Sequence, residues 1–170
     1  MNKFLIIAIL ILLTACGKNE VDNISNSKKQ GEGVCLYSLD YHQLSLDYHI
    51  NIKDIRLPDK PLISYKDILG YDTAHNVLLV KKSILDSLDF PRAWVITVDR
   101  QPVYGGWTFY NYMSSICPWV CIVPDDSINK ISAGKLKIRL GYPNKEYFEG
   151  KDPRDNALLL NRLAEDNKIK

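Results

Sequence analysis

The chain has no apolar run long enough to span a bilayer as a helix. Its longest, residues 4–13 (FLIIAILILL), is ten residues, whereas a spanning helix needs about 20. Neither sign of charge dominates: 22 basic side chains stand against 20 acidic ones. With no dense Lys/Arg cluster in the sequence, the electrostatic footprint of a nucleic-acid binder is missing. Histidine is scarce, at three residues. There is no G-x-S-x-G and no C-x₂-C, so the usual signatures of a serine nucleophile and of a zinc knuckle are absent. The expectation is a chain with no metal and no cofactor.

What is present begins at the N-terminus. Asn2 and Lys3 make a short polar, positive start, the apolar run follows, and Thr14-Ala15-Cys16 closes it. Positive start, apolar middle and small residues are the three parts of a cleavable secretory signal, expected over residues 1–15. Leu13-Thr14-Ala15-Cys16 resembles the lipobox of bacterial lipoproteins. The resemblance implies cleavage before Cys16, a diacylglycerol on its thiol, and further acylation by palmitate-type chains. Each buried CH₂ contributes about 0.8 kcal/mol, so two or three chains anchor firmly where one does not. The implied location is the cell envelope, lipid-anchored to the membrane. Gly17, where an Asp would retain the protein at the inner membrane, points to the outer membrane in a Gram-negative source.

Residues 16–33 carry only Val21 and Ile24 as sizeable apolar side chains, a composition unable to offset ordering entropy. They read as a flexible tether with a reach of roughly 20–25 Å. The remainder, 34–170, is the size of one domain with its own core.

Alternation at Ile50 and Ile52 predicts a strand over 49–55. Ser64 and Asp67 suggest a capped helical turn. Residues 71–80 read as a hairpin turning at 73–76, and 84–89 as a short helix capped by Ser83. The clearest strand is 93–98 (AWVITV), followed by a turn at Asp99-Arg100 and a return strand from Val103. Two more strands are expected at 119–123 and 136–142, the second with Lys137 and Arg139 on a wet face. Asp152-Pro153 predicts a helix start, with Ala157, Leu158, Leu160 and Leu163 as the apolar stripe. The sum is an α+β fold: a single, mostly antiparallel sheet with two or three helices on one face.

The segments Ile96–Asp99, Val103-Tyr104-Gly105-Gly106, Ser114-Ser115, Gly141-Tyr142-Pro143 and Asp152-Pro153-Arg154 are similar to uncharacterised bacterial lipoproteins, a resemblance that implies no activity. The order strand, helix and Asp-turn hairpin is also similar in topology to the periplasmic head of the Sec translocon's D subunit, again without a catalytic motif.

Residues 104–119 hold six of the chain's seventeen aromatics. Tyr and Trp join a broad apolar face to one hydrogen-bonding tip, which suits partly wet binding surfaces. The candidate ligand-binding residues are Tyr104, Trp107, Tyr110, Tyr112 and Trp119, with an envelope protein, peptide or glycan as partner. The leading expectation is therefore a non-catalytic binding domain. The alternative is an envelope hydrolase or thiol-redox enzyme using Ser114/Ser115 or Cys117/Cys121. Three cysteines besides Cys16 allow one disulfide among Cys35, Cys117 and Cys121. If 117–121 is extended, its ends lie ~13 Å apart and cannot bridge. If Pro118 turns the chain, Cys117 and Cys121 can meet. The sequence leaves both open.

Overall fold

The computed structural model describes residues 31–40, 50–52, 55–125 and 133–170. The expected signal peptide, Cys16 and the expected tether up to residue 30 lie outside the described residues, as do His42 and His49. Among the described residues the fold is sheet-dominated, with two sheets where the sequence suggests one. The larger sheet has the order β1-β4-β5-β6-β8. Its strands are β1 (Val34–Leu39), β4 (Ala93–Val98), β5 (Gln101–Thr108), β6 (Cys117–Ile122) and β8 (Arg139–Tyr142). All its pairings are antiparallel except β5 with β6. The smaller sheet, β2-β3-β7, comprises β2 (Ile68–Asp72), β3 (Val77–Val80) and β7 (Lys135–Lys137). Ile169 bridges Tyr71 in parallel and extends its edge.

The split of the expected strand 136–142 explains the second sheet. Leu136, Ile138 and Leu140 are buried in one core, so the alternation is real. At Ile138, however, the chain leaves one sheet and enters the other, while the Ile138 N–H donates to the carbonyl of Asn76 at 2.9 Å. Alternation reports which side chains are wet, not which backbone each strand pairs with.

Two cores flank the larger sheet. On one side Trp94, Ile96, Val120 and Ile122 meet Leu78, Val80 and Leu136 of the smaller sheet and Leu159 and Leu163. On the other side Cys35, Tyr37, Val95, Trp107, Phe109, Cys117, Cys121 and Tyr142 form a second cluster, covered in part by Ile50, Ile52, Ile55 and Leu57. β4 is therefore buried at every position, which accounts for its unbroken apolar sequence. The described part of 49–55 is not a strand: Ile50 is irregular and Ile52 sits in a 3-10 turn. Ile50 lies over Gly105, where a Cβ would come within 2.8 Å of its Cδ1.

The β2–β3 and β4–β5 turns fall where the sequence places them. Asp99 and Arg100 both take positive φ, 49° and 66°, as a two-residue hairpin turn with the strand twist requires. Asp99 Oδ1 also accepts from the Gly33 N–H at 2.6 Å, fixing the chain just before β1.

Helix content is lower than expected. The short turn Tyr65–Asp67 is 3-10, and its Ser64 makes no side-chain cap bond. The first helix, α1, spans Lys82–Asp86, with Lys81 at the N-cap and no capping by Ser83. Lys81 is held there by its N–H to the Asp67 carbonyl and its ammonium on the Asp67 carboxylate. The one helix longer than six residues among those described, α2 (Ala157–Glu165), starts after the expected Asp152. Asp152 is engaged by Arg154, at 2.9 and 2.7 Å, and Asn156 is the cap, its side chain accepting from Leu158 and Leu159 N–H. The later start moves the buried stripe onto Leu159 and Leu163 and leaves Leu158 exposed. No helix among the described residues is long and apolar enough to cross a membrane.

Candidate binding site

The five aromatics singled out from the sequence do not share a face. Tyr104, 2% exposed, and Trp107, 7% exposed, belong to the cores on opposite sides of the larger sheet. Tyr104 packs edge-on against Trp94, and burial pushes its hydroxyl well above the usual phenol range. Trp119 is half-buried, stacked on Phe148 at 5.6 Å, with its indole N–H on the Gly105 carbonyl at 3.0 Å. That leaves Tyr110 and Tyr112, stacked at 5.5 Å with nearly parallel rings. Tyr110 is half-buried, its hydroxyl pushed up by burial and by neighbouring Tyr112; Tyr112 is 77% exposed. The physical reason is strand geometry: successive residues of β5 point to opposite sides, so Tyr104 and Trp107, three residues apart, face opposite cores.

That loop is held in place. The Tyr142 hydroxyl donates toward the carbonyls of Tyr110 (3.1 Å) and Met113 (3.3 Å). The Asp125 carboxylate accepts from the Asn111 N–H at 3.0 Å, and the Asn111 side-chain amide donates to the Asp125 carbonyl. Beside the loop lies a hollow of about 160 Å³ lined by Arg92, Trp107, Thr108, Phe109, Met113 and Ser115. It offers aromatic walls, a polarizable thioether, two hydroxyl-bearing residues and one guanidinium. Such a combination can grip a planar or apolar group and orient it through a hydrogen-bond acceptor. Trp107 thus contributes from inside the core by forming a wall. Arg92 and Met113 are additions that the sequence did not single out, because Arg92 reaches the loop only through the pairing of β4 with β5.

Among the described residues, no catalytic pairing is assembled there. Ser114 and Ser115 are exposed. His75, the one histidine among the described residues, sits in the β2–β3 turn against Asp72 at 2.8 Å. It does not line the hollow. No group of three or more His, Cys, Asp or Glu that could hold a metal occurs among the described residues.

Cys35, Cys117 and Cys121 are free, buried thiols. A bulge sets the geometry of the last two: Cys117 opposes Tyr142 and Cys121 opposes Arg139, so four steps on β6 match three on β8. The two thiols are near enough to influence one another: Cys121 holds Cys117 below the ordinary thiol range, while Cys117 and burial push Cys121 well above it. Cys121 also donates toward the Gly141 carbonyl at 3.4 Å. Burial pushes Cys35 up to about 11. Of the pairings the sequence leaves open, Cys117 with Cys121 is the one whose thiols influence each other's titration. No protein-family model, curated protein or solved structure matches the chain.

Proposed function

We propose that this protein is a lipoprotein of the bacterial cell envelope, anchored through Cys16, whose domain binds an envelope partner without catalysing a reaction. The anchor rests on the N-terminal sequence pattern, with the outer membrane favoured where the source has one. The binding reading rests on one observation: a pinned loop that presents Tyr112 beside a hollow walled by Trp107, Phe109 and Met113 and edged by Arg92. An ordered loop loses little entropy on binding, and an exposed aromatic next to a concave apolar wall is the composition of an interface hot spot. A peptide or glycan bearing a planar or apolar group and an acceptor for Arg92 fits this chemistry.

Two experiments test the proposal. Cys16→Ser should abolish uptake of labelled fatty acid and release the protein from the anchored pool; continued labelling would refute the anchor. For the site, a photo-crosslinking residue at Ser115 in intact cells should capture a defined partner. Capture should be lost in Tyr112→Ser and retained in a distal Ser87→Ala control. Equal capture by all three proteins would remove the loop from consideration.

A further inference from the structure

No Asp, Glu, Lys, Arg or His stands between Arg100 and Asp125, so the loop 109–116 has no charged side chain of its own. Its exposed residues are Asn111, Tyr112, Ser114, Ser115 and Ile116: one aromatic ring, short polar tips and one aliphatic group. Asp125 beside it is occupied by the Asn111 N–H. Arg92, on the wall of the hollow, makes an interaction of its own within the protein. A charged ligand would give up hydration here with no counter-charge held in reserve for it, whereas an uncharged one gives up less.

An extended peptide is poorly served by this loop. β5 and β6 are both interior strands of the larger sheet, so the loop joining them adjoins no free edge to which a peptide could add as a strand. Its backbone is also in use: the carbonyls of Tyr110 and Met113 accept from the Tyr142 hydroxyl, and the Asn111 N–H donates to Asp125. What remains for a ligand is side chains. Tyr112 is a flat platform, its ring backed by Tyr110 with the planes within 13°, while the residue stays 77% exposed. The C–H bonds on one face of a pyranose ring carry partial positive charge and suit the negative face of such an aromatic ring. The Ser114 and Ser115 hydroxyls can donate to and accept from sugar hydroxyls. Met113, next in the chain, lines the hollow with Trp107 and Phe109. At about 160 Å³, the hollow is smaller than the about 300–1,000 Å³ of a pocket that encloses a whole small molecule. It therefore takes a substituent and leaves the ring outside. An acetamido group fits, its methyl against the aromatic and thioether walls and its amide toward Ser115.

We propose, resting on the binding reading of this loop, that its ligand is an uncharged glycan containing N-acetylated amino sugars. One pyranose face stacks on Tyr112, and an acetamido methyl enters the hollow walled by Trp107, Phe109 and Met113.

The test uses the full chain in a polyoxyethylene detergent, which carries no sugar, titrated with tri-N-acetylchitotriose and with cellotriose and followed by amide resonances. The two trisaccharides share one backbone linkage and differ in acetamido against hydroxyl. Saturable shifts centred on residues 107–116 are expected from the N-acetylated sugar, with cellotriose about fivefold weaker or more. Tyr112→Ser should weaken binding by about tenfold or more, since it removes the exposed anchor. Tyr112→Phe keeps the ring, and Tyr147→Ser removes an exposed tyrosine elsewhere; both should stay within about twofold of wild type. No saturable shift, an equal response to the two sugars, or equal weakening by Tyr112→Ser and Tyr147→Ser would overturn the proposal. Crosslinking from Ser115 in intact cells reads the binding proposal separately. Capture of a partner with no response to either sugar overturns the glycan alone, and failure of both overturns the loop site as well.

Discussion

The hydroxyl of Tyr142, on the last residue of β8, lies 3.1 Å from the carbonyl oxygen of Tyr110 across the face of the larger sheet. Tyr142 also stacks on Phe109 at 5.1 Å, so one side chain both closes the second core and ties down the loop that carries Tyr112. Removing only the hydroxyl separates these two roles.

Tyr142→Phe is expected to lower stability by about 1 kcal/mol, the net worth of a hydrogen bond of this kind. The stacking and burial should persist. The loop should loosen more than the domain, because Met113 N–H bonds back to the same Tyr110 carbonyl at 2.8 Å. Hydrogen exchange at Met113 should therefore accelerate while exchange in β4 tracks only the global change. A uniform acceleration would show that the hydroxyl does not specifically hold the loop.

Leu163 and Leu158 provide a test of the helix phase. Both belong to the apolar stripe expected from the sequence, yet Leu163 is fully buried and Leu158 is 40% exposed. Leu163→Ala should cost about 2–5 kcal/mol, the range for emptying a packed leucine site. Leu158→Ala should change stability by about 0.5 kcal/mol or less, since surface substitutions away from special features do little. Urea unfolding of both variants reads the difference. Similar losses would place the helix start nearer to Asp152.

Much of the larger sheet could be read from the sequence. The run at 93–98, the Asp99-Arg100 turn and the strand after it depend on local chemistry: an apolar β-rich run and two residues in a tight turn. The grouping of strands into two sheets depends on backbone pairing across long separations, such as Val77 with Lys137, which side-chain periodicity does not encode. The loop site was half legible. Aromatic density drew attention to 104–119, but strand alternation sends Tyr104 and Trp107 into opposite cores.

Acid should destabilise the domain through carboxylates held low in the folded state, Asp152 and Asp166 among them. For Asp152, burial pushes the pKa up, but the hydrogen bonds and charge of Arg154 outweigh it and hold the group below the usual carboxylate range. Asp166 is held low by the Tyr65 hydroxyl at 2.6 Å and by Arg162. With folded-state values below the unfolded ones, the folded protein binds fewer protons. Their stabilisation is complete above the unfolded pKa of about 4 and is lost as pH falls through the lower folded values. The urea midpoint should be insensitive to these groups between about pH 5 and 7 and decline below about pH 4. Asp152→Asn/Asp166→Asn should start lower at neutral pH and decline less steeply. A variant with the wild-type slope would show that other groups control the acid limb.

Thiol reactivity separates the three buried cysteines from Cys16. In a Cys16→Ser background, the reduced native chain should give almost no reaction with a thiol-alkylating reagent, because Cys35, Cys117 and Cys121 are at most 1% exposed. Burial also keeps Cys35 protonated at neutral pH, and the thiolate is the reactive form. Unfolding in denaturant should release all three. If the chain is instead refolded with oxidised glutathione as the oxidant, thiol–disulfide exchange can join Cys117 to Cys121, consuming two thiols and reducing one glutathione disulfide. The mutual influence of these two thiols makes them the expected pair. Cys35→Ser should leave that oxidation intact, and Cys117→Ser should abolish it. Loss of the disulfide in Cys35→Ser instead would mean that the mutual influence of Cys117 and Cys121 does not govern pairing.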